Sequence, residues 1–309
     1  MPTSGAPVGV VGLGSMGSGV FELLVERGWN VRGCDRAAAV RAAFAERGHS
    51  VEPDFAAWCR DVDAIVLSLP SRGAVASVVC GDATRPGLAM CVKRGCLVID
   101  CSTTTPGMAR RAAAALRERG ADYLDAPVSG GAASARSGTL TMMLAGSEAV
   151  RTRGSALIGD MTKRVIFFDE VGEAQVAKLL NNLLVAVHLR ALGEASAIAQ
   201  RWGVEEESLL SAVNASSGRS AVSEVNFPRW ILNDAFDSGF SMKLMRKDVE
   251  AAMDLAREGV YGDHEDGEGL DAERFPLLAK TGELWCDSLT RLDDEADFNR
   301  MGRLGGSSR

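Results

Sequence analysis

The stretch that most constrains this chain is residues 8–17, VGVVGLGSMG, where an apolar run passes straight into three glycines at GxGxxG spacing and then into a helical pattern. Such a run commits the chain to a strand–turn–helix unit. Gly12 permits the tight turn, Gly14 lets a ligand approach the backbone, and Gly17 lets the helix pack close to the strand. Leu13, Ser15 and Met16 complete the turn, and the N–H groups at the helix start offer partial positive charge to an anion such as a pyrophosphate. The spacing by itself is weak; the strand before it and the helix after it give it weight. A Gly-rich turn with a purely structural role is the alternative.

The next strand signal, residues 31–34, runs into Asp35, eighteen residues beyond Gly17. An acid there accepts hydrogen bonds from ribose hydroxyls and repels a 2′-phosphate, which favours NAD over NADP. Arg36 pulls the other way, because a guanidinium beside the ribose could pair with that phosphate. The charge logic prefers NAD as the cofactor.

Further apolar runs occur at residues 64–69, 97–100, 123–126, 140–145 and 165–168. Helical patterns at 21–27, 37–47 and 106–119 lie between them and stop at Gly28, Gly48 and Gly120. Strand–helix alternation of this kind predicts an α/β fold with a doubly wound, mostly parallel sheet of Rossmann type. After about residue 168 the strand signals cease. Residues 173–200 read as one long helix, apolar nearly all round and so expected to be buried. Helical patterns follow at 205–214, 243–257 and 276–289. The expected organisation is a nucleotide-binding domain over 1–170, a long interdomain helix, and an all-helical C-terminal domain over 171–309 that serves substrate binding and dimerisation.

Bulk properties narrow the partners. A formal net charge of −7 argues against a nucleic-acid surface. No apolar run is read as the roughly 20 residues of a bilayer span, and the glycine-interrupted N-terminus does not read as a signal peptide. A membrane partner is therefore not expected. The seven cysteines are scattered, with no CxxC pair, so reduced and mostly buried thiols in a cytoplasm or organelle matrix are expected, with no metal site. Residues 262–269, GDHEDGEG, lack the spacing of a calcium loop and read as a solvated loop.

Lys178 and Asn182 lie four residues apart on the long helix and share a face. Two polar groups on an apolar helix suit a cleft, since an unpaired buried ammonium is costly; the alternative is that Lys178 snorkels outward. The Ser129-Gly130-Gly131 segment offers turn N–H groups to an anion, or is an ordinary flexible loop. His188 is ten residues from Lys178, on another face, and reads as a hydrogen-bonded core histidine. Residues 216–219, SSGR, read as a helix C-terminal turn, with Arg219 a candidate carboxylate contact.

Six segments, GVVGLGSMG (9–17), LSLP (67–70), DCST (100–103), DAPVSGG (125–131), KLLNN (178–182) and LMRKD (244–248), stand in order along the chain. In this the chain resembles the β-hydroxyacid dehydrogenase family, the 3-hydroxyisobutyrate dehydrogenase, tartronate semialdehyde reductase and L-threonate dehydrogenase type. The resemblance covers nearly the whole chain. It implies that Ser129, Gly130 and Gly131 bind a small substrate carboxylate, that Lys178 is the catalytic acid/base, and that Asn182 contacts the substrate. It further implies that Leu69, Pro70 and Thr103 contact the cofactor, and that Lys247 lies close to nicotinamide and substrate. Burial and a nearby cation such as Lys247 would let the Lys178 amine work in its neutral form. A homodimer or homotetramer is also implied. Two departures stand out: Ala74 where the family often carries Asn, and an apparent acidic insertion over 263–271. A non-catalytic cofactor-binding module and an imine reductase are the rival readings on the same fold.

Overall fold

The computed structural model describes residues 7–83, 85–261 and 273–304, with backbone alone over 258–261. The acidic stretch 262–269 and the apparent insertion over 263–271 lie outside the described residues. The chain divides into two compact units, Met1–Lys178 and Leu179–Arg309, so the division falls inside the long helix.

In the first unit, β1 (Pro7–Val11) leads through the glycine turn into α1 (Ser15–Glu26), followed by β2 (Asn30–Cys34), α2 (Ala38–Glu46), β3 (Val51–Glu52) and β4 (Ala64–Leu67). Then come α3 (Arg72–Cys80), a small hairpin of β5 (Gly81–Asp82) and β6 (Arg85–Pro86), α4 (Leu88–Cys91), β7 (Leu97–Asp100) and α5 (Pro106–Arg117). The unit continues with β8 (Asp122–Asp125), β9 (Val128–Ser129), α6 (Gly131–Ser137), β10 (Leu140–Ala145), α7 (Glu148–Met161) and β11 (Thr162–Phe168). Thr105 caps α5 by accepting from Met108 N–H, with Pro106 in its first turn, and Ser71 caps α3 through Ala74 N–H.

Among the described residues the main sheet has the order β11-β10-β8-β7-β4-β1-β2-β3, with β9 paired to β10 at the side. From β3 to β8 every pairing is parallel, while β10 runs antiparallel to β8 and carries β11 parallel to itself. The chain moves outward from β1 to β2 and β3, then returns to β4 on the other side of β1. The loops leaving β1 and β4 therefore part at the C-terminal edge of the strands, where doubly wound sheets bind their ligands.

Strand alternation sends Val8, Val10, Val66, Ile99 and Leu124 to one face, packed on Phe21 and Leu24 of α1 and Leu157 of α7. Val11, Ile65, Leu67 and Val98 go to the other face, on Val75 of α3 and Ala109 and Leu116 of α5. Buried on both faces, these strands read as continuous apolar runs, as parallel strands do. Each such buried side chain contributes roughly 1.5–3 kcal/mol. This is the Rossmann-type sheet that the alternation predicts.

The second unit is helical. It contains α8 (Glu173–Arg201) from Leu179 onward, α9 (Glu206–Asn214), α10 (Met242–Tyr261) and α11 (Pro276–Asp287). A π-helical stretch, Val222–Ile231, encloses Pro228, which cannot donate to a carbonyl in a regular helical ladder. Its core gathers Leu189, Phe227, Met245, Trp285 and Met301.

One expectation fails here. Although α8 is apolar nearly all round, it is not buried all round: Leu180, Leu184 and Ile198 are exposed, with His188 on the same stripe. Exposed positions recur every three or four residues, so a single chain covers only one side of the helix. By length and composition α8 could also cross a bilayer, a property the sequence reading assigns to no run. Its covered side carries Gln175, Lys178 and Asn182, all buried within the protein.

Candidate active site

The glycine turn after β1 has the form a dinucleotide needs. Gly12 adopts φ +87°, and a Cβ there would lie 2.3 Å from the Ser68 carbonyl oxygen. At Gly17 a Cβ would lie 1.8 Å from the Gly12 oxygen, so α1 crosses the turn at a distance open only to glycine. Gly14 differs: a Cβ there would meet nothing within 4 Å, and no side chain caps the helix that it opens. The residues thus leave room and uncommitted N–H groups where a pyrophosphate would sit, and they fit the group.

Asp35, at the end of β2, is tied to that turn. Its Oδ2 accepts from Leu13 N–H at 2.7 Å and its Oδ1 from Ala37 N–H at 2.8 Å. Each oxygen keeps a lone pair for a ribose hydroxyl. Arg36 is exposed, and Arg41 donates to the backbone oxygens of Asp35 and Arg36, which places a second cation at the same corner.

The other predicted cofactor contacts share this edge of the sheet. Leu69 and Pro70 follow β4, and Leu69 N–H donates to Ser102 Oγ at 2.9 Å in the loop after β7. Thr103, partly exposed, lies next in that loop. Ser129 ends β9, pairing with Thr141, and leads into Gly130 at φ +132° and Gly131 at φ +74°. Both glycines are exposed, and a Cβ on Gly131 would meet nothing. The loop therefore presents its backbone, as binding of an anion requires.

Lys178 is 7% exposed on α8, and Gln175 one turn earlier is fully buried. Beneath them lies a polar network that the sequence reading does not single out. Asp100 and Asp125 end β7 and β8 as register partners, both inaccessible to solvent. Asp100 accepts from Ser102 N–H and from the Tyr123 hydroxyl, at 3.0 and 2.9 Å. Asp125 accepts from Gln175 Nε2 at 2.6 Å and from Gly172 N–H at 2.9 Å. Burial raises Asp100 above the usual carboxylate range and pushes Asp125 up to about 7, with their hydrogen bonds opposing. The first turn of α8 is thus hydrogen-bonded through Gln175 to the end of β8.

In the second unit, Asn182 donates through Nδ2 to Asp248 Oδ2 at 2.6 Å and accepts from Asn181 at 3.1 Å. Lys247 Nζ lies 3.1 Å from Asp248 Oδ1. Asp248 is buried and holds together two predicted substrate contacts, one from α8 and one from α10.

The remaining candidates resolve simply. His188 is exposed, not a core histidine, because it falls on the uncovered stripe of α8. Residues 216–219 form an exposed turn after α9. Burial pushes the thiols of Cys34, Cys59 and Cys96 up to about 12, which leaves them unreactive. Ala74 donates its N–H to the Ser71 cap. Asp100, Asp125 and Asp248 stand in the DCST, DAPVSGG and LMRKD segments with no role assigned there, and Gln175 forms with Lys178 and Asn182 a polar i, i+3, i+7 stripe on an apolar helix.

Comparison with known proteins agrees with this fold. Residues 7–169 match the family described as the NAD binding domain of 6-phosphogluconate dehydrogenase, and residues 172–261 match the NAD-binding domain of NADP-dependent 3-hydroxyisobutyrate dehydrogenase. The 2-(hydroxymethyl)glutarate dehydrogenase of Eubacterium barkeri is 32% identical over 82% of this chain and 83% of its own length. The mitochondrial 3-hydroxyisobutyrate dehydrogenase of Rattus norvegicus is 34% identical over 82% and 76%. The structure of Mycobacterium tuberculosis 3-hydroxyisobutyrate dehydrogenase with L-serine superposes with a TM-score of 0.81 at 28% identity, over 96% and 98% of the two chains. With a dinucleotide cradle, an exposed di-glycine loop and a buried lysine in one chain, and with these relatives spanning both units, the protein belongs to the β-hydroxyacid dehydrogenase family of nicotinamide-dependent oxidoreductases.

Proposed function

We propose that the chain reversibly oxidises a small β-hydroxyacid bearing a primary alcohol, with NAD as cofactor and Lys178 as the acid/base. The observation that carries this is Lys178 itself, a lysine only 7% exposed in the unit that also carries the glycine cradle and the Ser129–Gly131 loop. The relatives' names support the substrate class: 3-hydroxyisobutyrate and 2-(hydroxymethyl)glutarate both place a CH2OH on the carbon next to a carboxylate. Lys178 and Asn182, both buried, weigh against a non-catalytic module.

In this reading the Ser129 hydroxyl and the Gly130 and Gly131 backbone hold the carboxylate. Asn182, oriented by Asp248, positions the rest of the acid. A bound nicotinamide supplies the hydride acceptor for oxidation and the donor for reduction. Lys178 Nζ takes the hydroxyl proton during oxidation and returns it to the oxygen during reduction. Asp35 supports NAD, because its carboxylate would repel a 2′-phosphate, although Arg36 and Arg41 soften that preference.

The exposed side of α8, where Leu180 and Leu184 stand one turn apart and Ile198 lies further along, supports self-association of the chain. A spectrophotometric panel of α-substituted 3-hydroxypropionates with NAD and NADP tests the first proposal. Turnover of cyclic imines but not of hydroxyacids would replace it with an imine reductase. Light scattering after gel filtration tests the second, with a monomer at micromolar concentration as the refuting result.

A further inference from the structure

Gln175 touches neither the glycine cradle nor the di-glycine loop, yet it spends every polar atom on the elements between them. Its Oε1 accepts Thr104 N–H at 2.9 Å. Its Nε2 donates to Ser102 O at 3.1 Å and to Asp125 Oδ1 at 2.6 Å. The amide orientation is fixed chemically, since a backbone N–H only donates and a carbonyl only accepts. Ser102 C=O and Thr104 N–H are the groups on either side of Thr103. Binding both is what one residue of a parallel strand does to the neighbours of the residue facing it. The side chain of Gln175 thus acts as a one-residue strand that clamps the Thr103 loop.

The other end of the clamp is α8. Lys178 follows Gln175 by three residues, one turn along the same face. Asp125, which also binds Gly172 N–H ahead of α8, opens the segment that leads through Val128 to Ser129 and Gly130. One buried amide therefore links the loop expected to contact the cofactor, the strand end before the carboxylate loop, and the helix that carries the amine.

We infer that Gln175 is the positioning residue that holds Lys178 in register with the Thr103 loop, so that proton transfer and cofactor binding share one frame. This rests on the reading of Lys178 as the acid/base. Gln175 itself reaches no reacting atom, so its loss should lower turnover more than substrate binding.

The test uses the full chain and the hydroxyacid that the wild type turns over. Gln175→Leu should lower kcat about 10–100-fold with KM shifted less than about threefold. In the cofactor-free protein the Thr104 amide should exchange with solvent deuterium markedly faster. Gln175→Glu keeps the acceptor for Thr104 but gives up the N–H donors to Ser102 O and Asp125, and sets two carboxyls against each other. Adding Asp125→Asn returns a donor, so the double variant should be more active than Gln175→Glu alone. A kcat for Gln175→Leu within about twofold of wild type, or unchanged Thr104 exchange, overturns the inference. If Gln175→Leu does not fold, the pair decides: a double variant no better than Gln175→Glu overturns it. If the wild type turns over no hydroxyacid, the functional reading fails, while Thr104 exchange in Gln175→Leu still decides the clamp.

Discussion

Asp125→Asn separates the charge of a buried carboxyl from its shape, and the consequence can be worked from its surroundings. Asp125 has no solvent exposure; burial pushes it up to about 7, and the N–H groups of Gln175 and Gly172 only partly oppose that rise. An unfolded aspartate titrates near 3.9. Between these values the unfolded chain has lost the proton and the folded chain has not. The stability this carboxyl contributes is therefore complete below about pH 4 and is lost as pH rises through about 7. Three units at 1.36 kcal/mol each give about 4 kcal/mol across the window. Between pH 5 and 7 the wild type should lose about 2 kcal/mol relative to Asp125→Asn. The variant also carries a pH-independent cost of about 1–3 kcal/mol, because its amide meets the Gly172 N–H donor. Asp100 adds to the rise of Asp125 through its own charge, so the difference between the two proteins reads their coupled titration. Urea unfolding of both proteins at pH 5, 6, 7 and 8 measures this. Parallel profiles, within about 0.5 kcal/mol across that range, would refute a carboxyl held neutral by burial.

Two further predictions concern binding and catalysis. Gly14→Ala, with open space at its Cβ, should melt near the wild-type temperature while weakening NAD binding about tenfold or more; Gly17→Ala, whose Cβ would lie 1.8 Å from the Gly12 oxygen, should lose both binding and stability. Equal effects of the two on melting would sink the distinction, read by calorimetry beside a fluorescence titration with NADH. Lys178→Ala should lower kcat about 10²–10⁴-fold with NADH affinity nearly intact, and near wild-type turnover would remove the acid/base assignment.

The sequence by itself determined the parts governed by local chemistry. Three glycines at fixed spacing after β1 pointed to a strand–turn–helix, and the structure shows the tight turn at Gly12 and the close helix approach at Gly17. Strands buried on both faces wrote themselves as apolar runs, so the α/β unit and the helical remainder were legible. Only the tertiary structure decided what depends on residues far apart in the chain. Asp100 and Asp125 look like plain strand ends, and the polar stripe that holds Gln175 names no partner, until the parallel pairing of β7 with β8 sets Asp125 against Gln175. Asp248 is 66 positions from the Asn182 that it orients. The burial of α8 was misread for the same reason: composition records that a face is apolar, but whether another element covers it depends on the rest of the chain. That is why Leu180 and Leu184 stand exposed while Lys178, on the same helix, is buried.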